Sequence, residues 1–503
     1  MIHCYKHCGY NIVIDIASGS IHSVDAVTYD VILSYELILD GKEPEVLIKR
    51  IIDMHPNVTE QDIRAIIVDI EMLRSRGKLF TSDIDAESLC FVKAKDGFPK
   101  NQCPLPQMIF EKPSSAFENT KILSPHVPTE HIKALCLNVS HVCNMTCAYC
   151  FAGKGEYNSG NASFENNDTK LMTFETGKQA VDFLVRSSGT KRNLDIDFFG
   201  GEPLLNLQVI KEIVAYAREV EKKVDKRIRF TLTTNGLLID DDVINYVNKE
   251  IYNVVLSLDG RQSTHDAMRK LTGDDSNEKS SYNEVLPKIK KLVEARRHKG
   301  YYIRGTFTRE NMDFTQDILH LADLGFTELS LEPAVTKNND PLGFTKQDLP
   351  EIFKQYDILA IEMLRRKSLN RGFNFYHYML DLTDGPCIHK RIAGCGVGTE
   401  YLAVTPAGDL YPCHQFVGDK RFLMGNVQSG VMNKKLHDEF ASTNIYSRSE
   451  CKDCWARFYC SGGCAANAYY ASGSINGIYD IGCEILKRRI ENAIMMNISI
   501  YKD

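Results

Sequence analysis

Leu194-Asp195-Ile196-Asp197-Phe198-Phe199 runs directly into Gly200-Gly201-Glu202-Pro203, and a stretch with helical apolar spacing follows over 207–222. An alternating run of strand length, a turn, then a 3.6-residue period make one βα unit. Working outward, the same alternation recurs from about residue 132. Strands are expected at Ala134–Val139, Leu194–Phe199, Arg229–Thr233, Tyr252–Leu258, Tyr302–Phe307 and Glu328–Leu331, with helices over 174–187, 207–222, 240–249, 282–297 and 314–323 between them. Six such units imply a parallel sheet or barrel, and six fall short of the eight in a closed barrel. The fold class is α/β over 132–340, with a parallel sheet and a barrel both open as readings.

Before the barrel, residues 1–92 read as a separate small unit. Tyr10–Ile16 is a strand, Ala17-Ser18-Gly19 a turn and Ile21–Val24 a return strand. Helices follow over Ala26–Leu39 and Glu43–Asp53. A third is capped by Thr59 with Asp62 three positions on, and Gly77 ends it. Hairpin plus three helices outlines a winged-helix-like unit. Residues 93–131, rich in proline, read as a linker. After the barrel, 341–385 forms a helical bridge. From 386 to 503 the chain is Cys- and Gly-rich with few long periodic elements, a composition that needs staples such as metal clusters.

The chain has 503 residues, with 60 Lys plus Arg against 66 Asp plus Glu, a net charge of −6. That sign and size exclude a general nucleic-acid binder. No apolar run is long enough to span a membrane, and Asp15 interrupts the only signal-peptide candidate. A cytoplasmic location, with no membrane or nucleic-acid partner, is expected. In a reducing compartment the 16 cysteines, many of them clustered, read as metal ligands before disulfides.

Cys143-Asn144-Met145-Thr146-Cys147-Ala148-Tyr149-Cys150 places three thiols on a tight loop after the first strand. Structural zinc takes four closed ligands; three cysteines on a four-iron cubane leave one iron open. A zinc site completed by His141 is the competing reading. Gly200-Gly201 lets backbone approach closely, and Glu202 can receive an ammonium group. Thr233-Thr234-Asn235-Gly236, Ser257-Leu258-Asp259-Gly260, Arg304 and Glu332 lie at or near the ends of later strands, whose C-terminal mouth is where such folds bind ligands.

Cys143-x3-Cys147-x2-Cys150 followed by Gly200-Gly201-Glu202-Pro203 resembles the radical S-adenosylmethionine (SAM) enzymes. The resemblance implies a partial (β/α)6 TIM-type barrel, and that these three catalytic cysteines hold a 4Fe–4S cluster whose fourth iron is chelated by SAM. It puts the Gly200–Pro203 element at the SAM amine, Tyr149 near the adenine, and Thr233, Asn235, Ser257 and Arg304 around the rest of the cofactor. Cys395, Cys413, Cys451, Cys454, Cys460, Cys464 and Cys483, with Cys387 just upstream, resemble the SPASM extension of radical SAM peptide-modifying enzymes. By analogy Cys387, Cys395, Cys413 and Cys464 hold one auxiliary 4Fe–4S cluster, and Cys451, Cys454, Cys460 and Cys483 a second. Should Cys387 be structural instead, the first auxiliary cluster keeps an open iron. Two zinc ribbons are the competing reading of that segment.

The N-terminal unit resembles leader-peptide recognition domains. The stretch from Gly394 to Gly418 and the CNMTCAYCFAGKGEY run resemble the SCIFF maturases of ranthipeptides. The Pro-bearing segment near 95–130 and the polar stretch Asn158–Lys170 depart from that pattern. The resemblance implies three 4Fe–4S clusters, SAM, a Cys-rich precursor peptide with a leader, an electron donor such as flavodoxin or ferredoxin, and thioether cross-links made through a 5′-deoxyadenosyl radical. Three rivals stand beside it: another SPASM maturase such as a formylglycine-forming one, a non-catalytic zinc-binding peptide adaptor, and a DNA-binding regulator. Of the remaining cysteines, Cys136 reads as core. Cys4 and Cys8, with His3 and His7, are weak metal candidates, and Cys90 and Cys103 carry no motif. His265 reads as a loop residue, and Trp455 as packing against a cluster.

Overall fold

The computed structural model describes residues 1–82, 131–152, 170–273, 279–336, 340–382 and 388–502. The expected linker (save His131), most of the Asn158–Lys170 stretch, and Cys90, Cys103 and Cys387 lie outside these residues.

The chain begins with a strand that the sequence reading lacks. β1 (Ile2–His7), β2 (Tyr10–Asp15) and β3 (Ile21–Val24) form an antiparallel sheet in that order. His7 pairs with Tyr10, leaving Cys8-Gly9 as a two-residue loop with φ of 48° and 82°. Positive φ at both positions is the hairpin geometry that suits the strand twist, so Cys8 is a turn residue. Asp15, fully buried, accepts from the amides of Ser18 and Thr81, both at 2.9 Å. The first helix divides into Ala26–Ser34 and Glu36–Leu39 around Tyr35, followed by Pro44–Met54 and Glu60–Ser75. The Thr59/Asp62 capping box is present. The two faces of the sheet have different partners. Val13 packs with Tyr29, Ile32, Leu47, Ile51 and Ile63, whereas Tyr5, Ile12, Ile14 and Ile16 belong to the core shared with the rest of the chain. Each buried isoleucine contributes roughly 1.5–3 kcal/mol, so this unit is fastened to the body and not merely tethered.

All six expected barrel strands form. β4 (Ala134–Ser140) is followed by the short β5 (Met145–Cys147), then β6 (Asn193–Gly200), β7 (Arg227–Thr234), β8 (Asn253–Ser257), the short β9 (Arg269–Leu271), β10 (Gly300–Phe307) and β11 (Glu328–Pro333). β4, β6, β7, β8, β10 and β11 are parallel neighbours. Helices Phe174–Arg186, Leu207–Glu221, Asp241–Glu250, Ser281–Arg296 and Phe314–Asp323 lie between them in sequence. The alternation in the sequence has a direct cause. On β7, Ile228, Phe230 and Leu232 are buried and belong to the apolar core, while Arg229, Thr231 and Thr233 take the other face. Arg229 pairs there with Asp195 of β6 at 2.8 and 3.0 Å.

The sheet does not stop at the barrel. Helix Leu349–Ser368 leads to β12 (Asn374–Phe375), which adds to β11. From the Cys-rich segment, β13 (Tyr401–Val404) adds parallel to β4, followed by β14 (Asp409–Tyr411), β15 (Gly425–Asn426) and β16 (Gly430–Val431). The result is one sheet of 11 strands. After 386 the elements are short, with one long exception, the 23-residue helix Asp480–Lys502. It packs against Leu349–Ser368 and carries Ile490, Ala493 and Ile494 into the core. Among the described residues no helix is long and apolar enough to cross a membrane.

Candidate active site

The cysteine loop is held by a clamp that no sequence pattern announces. β5 pairs antiparallel with β9, setting Cys147 opposite Arg269. The Ala148 amide donates to the Met268 carbonyl at 2.8 Å. The Arg269 Nε donates to the fully buried Asp259 carboxylate at 3.0 Å, and the Tyr149 hydroxyl donates to the same carboxylate at 2.6 Å. Asp259 Oδ1 accepts from the Thr306 amide at 3.0 Å. A buried ion pair thus fixes Tyr149, and with it the loop between Cys147 and Cys150, to β8 and β10.

The Gly200-Gly201 element does something different from what its chemistry suggested. A Cβ on Gly200 would stand 2.1 Å from the Ser140 carbonyl oxygen, and one on Gly201 2.4 Å from that of Val142. The Gly201 and Glu202 amides donate to those carbonyls at 2.7 and 2.9 Å. The close approach is therefore to the chain's own backbone at the root of the cysteine loop. The Glu202 carboxylate is fully buried. It accepts from the Leu204 amide (3.0 Å), the Thr234 hydroxyl (2.8 Å) and the Asn235 amide (2.8 Å), and burial pushes it up to about 7. Asn235, so placed, donates to Asn144 Oδ1 at 2.7 Å and approaches Cys143 Sγ at 3.9 Å.

These parts border one cavity of about 720 Å³. Cys143, Cys147, Tyr149, Cys150, Gly200, Gly201, Thr233, Asn235, Ser257 and Arg304 line it; Glu202 and Pro203 do not. Across it stand Cys395, Cys413, Cys460, Cys464 and Cys483, while Cys451 and Cys454 lie behind the wall. The second group divides in two. Burial raises these thiols; Cys464 and Cys395 add to it at Cys413, and Cys395 at Cys464, whereas at Cys460 and Cys483 charge is added by Cys451 and Cys454.

The donor chemistry fits iron–sulfur clusters. Burial pushes Cys147 and Cys460 up to about 12 and Cys483 to about 11, so packed together without a cation they stay protonated. A bound metal centre deprotonates a thiol outright. Among the described residues no three His, Cys, Asp or Glu side chains close around a point that could hold a single metal ion. His141, the candidate fourth zinc ligand, is buried and pushed down to about 4, and does not line the cavity. All 13 cysteines among the described residues are free.

A charged corner completes the cavity. Glu332 at the end of β11 faces Arg489 at 3.2 Å and His377 at 3.4 Å. Burial alone would raise its carboxyl; His377, Arg489 and Arg304 outweigh that and hold it below the usual range. Burial drives His377 down to about 3. Arg489 also donates to the Tyr356 hydroxyl at 2.6 and 2.9 Å, tying the C-terminal helix to Leu349–Ser368. Sequence reasoning missed Arg269, His377 and Arg489. None lies in a motif, and each reaches the site only through strand pairing or helix packing. His265 is not a loop residue: it is fully buried in helix Gln262–Met268 and does not line the cavity.

Comparison with known proteins agrees with this arrangement. Residues 137–322 match the radical SAM superfamily and residues 395–455 the SPASM iron–sulfur cluster-binding domain. The radical SAM cyclopropyl synthase TigE of Paramaledivibacter caminithermalis is 23% identical over 74% of this chain and 76% of its own. A cysteine-type anaerobic sulfatase-maturating enzyme of Clostridium novyi is 24% identical over 70% and 92%. An uncharacterised protein of Methanocaldococcus jannaschii is 32% identical over 63% of this chain and 96% of its own. Among solved structures, anSMEcpe with AdoMet and the Kp18Cys peptide bound superposes with a TM-score of 0.58 at 20% identity, covering 73% of this chain and 98% of that one. Streptococcus suis SuiB bound to its precursor peptide SuiA gives 0.50 at 14% identity, covering 95% and 97%. The barrel binds a 4Fe–4S cluster and SAM, and the Cys-rich domain binds auxiliary iron–sulfur clusters. Three thiols clamped at the barrel mouth, five more lining the same cavity, and both domain matches in their expected order make this chain a member of the radical SAM superfamily with a SPASM domain.

Proposed function

We propose that the enzyme forms thioether cross-links in a ribosomally made, Cys-rich precursor peptide. The observation that supports this most is one cavity bordered on one side by Cys143, Cys147 and Cys150 and on the other by the auxiliary thiols. When bound, the cluster and SAM supply a radical that takes a hydrogen atom from an unactivated carbon. The chain's own part is to hold and enclose. Asp259 and Arg269 fix the cysteine loop, Asn235 and Ser257 face the cofactor space, and the walls keep out water. Arg304 and Glu332, which line the same cavity, offer it a donor and an acceptor. Each link removes one hydrogen from carbon and one from sulfur, a two-electron oxidation of the peptide: one equivalent leaves carbon as the hydrogen atom, the thiol releases a proton, and the one remaining electron would pass to the auxiliary clusters. Cys387, if a ligand, closes the first of them; if not, an open iron there could take the donor sulfur.

The winged-helix-like N-terminal unit is assigned to the leader. Among the described residues β3 pairs only with β2, and an edge strand of that kind can accept an extended peptide. Deleting residues 1–82 is a poor test, because Tyr5, Ile12, Ile14 and Ile16 lie in the shared core. Competition by an isolated leader peptide against the full precursor is the cleaner one, and no competition would remove this role.

A second reading, a maturase forming formylglycine from cysteine, is favoured by the sulfatase-maturating relatives. Against it stands the extent of the chain, about a quarter of which lies beyond the likeness to anSMEcpe. Mass spectrometry of the product separates the two. A thioether loses two hydrogens per link and leaves its sulfur unalkylated after reduction. Formylglycine instead gives an aldehyde that a hydrazide captures, and that outcome would displace the cross-linking reading.

A further inference from the structure

The N-terminal sheet sits against the outer side of the second thiol set. The His3 ring lies flat on the indole of Trp455, with centroids 3.9 Å apart and planes 3° from parallel. Trp455 directly follows Cys454, so this stack covers the segment that supplies Cys451, Cys454 and Cys460. His3 Nε2 also meets Glu491 Oε1 at 3.2 Å, and the Tyr5 hydroxyl donates to the Glu491 carbonyl at 3.1 Å. Glu491 is on the C-terminal helix that carries Cys483. At the end of β1, His7 Nε2 faces Asn492 Oδ1 at 3.0 Å. Arg488, 3.3 Å from His7 Nδ1, clamps Asp357 at 2.8 and 2.5 Å. β1 therefore touches both segments that supply this set. Cys460 and Cys483 line the cavity, whereas Cys451, Cys454 and the β1 contacts Trp455, Glu491 and Asn492 do not.

We propose that β1 is a wall of the second auxiliary cluster site, and that His3, acting through Trp455, keeps water from the cluster and holds its reduction potential low. A cluster bound by four thiolates gains negative charge on reduction. Water stabilises that more highly charged form, so potential depends on solvent access and on the groups around the ligands. An aromatic pair closing the outer face withholds that stabilisation. His3 is thus a positioning residue, ordering the indole beside Cys454. The inference rests on iron–sulfur binding by this domain and not on the peptide reaction, so the two succeed or fail separately.

The test uses the anaerobically reconstituted full chain, read by redox titration with electron paramagnetic resonance and by the rate at which visible absorbance bleaches in air. In His3→Ala, one reduction step moves to a more positive potential and bleaching accelerates several-fold. His3→Phe keeps a flat ring without the Glu491 contact and behaves as wild type. Val68→Ala, on the exposed face of helix Glu60–Ser75, serves as the control. Unchanged potential and bleaching in a folded, iron-replete His3→Ala overturn the proposal. So does a shift in His3→Phe as large as that in His3→Ala. Should His3→Ala fail to hold iron, Trp455→Phe carries the decision: a smaller ring moves the same step in the same direction, and an unmoved step refutes the wall.

Discussion

Replacing Asp259 with asparagine isolates the clamp on the cysteine loop. The carboxylate is fully buried, and it holds the Arg269 Nε at 3.0 Å, the Tyr149 hydroxyl at 2.6 Å and the Thr306 amide at 3.0 Å. Asparagine keeps the acceptor for Thr306, and the tyrosine hydroxyl can turn to accept from the new amide. The Arg269 guanidinium, only 8% exposed, can do neither and is left without a counter-charge. Removing one partner of a buried pair costs about 3–5 kcal/mol; with two of three bonds rescued, the low end is expected. That cost falls on local opening of the β5–β9 pair, where Ala148 donates to Met268. Native-state hydrogen exchange reads such opening directly, and about 3 kcal/mol corresponds to exchange roughly a hundredfold faster at Ala148 and its neighbours. Asp195→Asn is the matched control. Its pair with Arg229 has similar distances, but the side chains are 34% and 40% exposed, a setting worth about 0.2–1 kcal/mol. If Asp259→Asn exchanges no faster than Asp195→Asn, the buried pair does not hold the loop and this account of the site is wrong.

Two further outcomes are expected. Burial, with Asp195 adding to it, raises Asp197 from 3.8 to about 6. Between about pH 4 and 6 the folded chain keeps a proton that the unfolded chain has lost, so stability falls as pH rises through that window and levels off above it. Asp197→Asn lacks this slope and should gain on wild type by about 2–3 kcal/mol from pH 4 to 7. A melting-temperature difference that is constant with pH would contradict the assignment. Gly201→Ala puts a Cβ 2.4 Å from the Val142 carbonyl, so the root of the cysteine loop must move. Iron per reconstituted chain should drop by about one cubane's four, whereas Cys136→Ala, a core position on β4, should leave iron unchanged.

The barrel was legible because its chemistry repeats at the period of its geometry. A strand with helices on one face and a polar space on the other must alternate, and β7 does so from Ile228 to Thr234. β1 was not legible for the complementary reason. Both of its faces are occupied, by the N-terminal helices and by the C-terminal helix, so Ile2-His3-Cys4-Tyr5-Lys6-His7 shows no alternation. β13 was hidden by brevity: four residues inside a Cys- and Gly-rich stretch carry no periodic signal until β4 supplies the ladder.

At the site the limits were of another kind. The cysteines were legible because ligand spacing within one loop is local, and a thiol set is recognised by residue type alone. The groups that position them are not local. Arg269 acts because β9 lies beside β5, and Arg489 because one long helix crosses from the auxiliary thiols to the barrel mouth. Glu202 shows the same limit from the opposite side. Its type and place after a strand suggested a ligand contact, yet its three hydrogen bonds organise Thr234 and Asn235, and Asn235 then reaches toward Cys143. A motif residue can thus organise its neighbours from a buried position. Which residues touch and which position is decided by burial, a quantity that appears only when distant strands are brought into register.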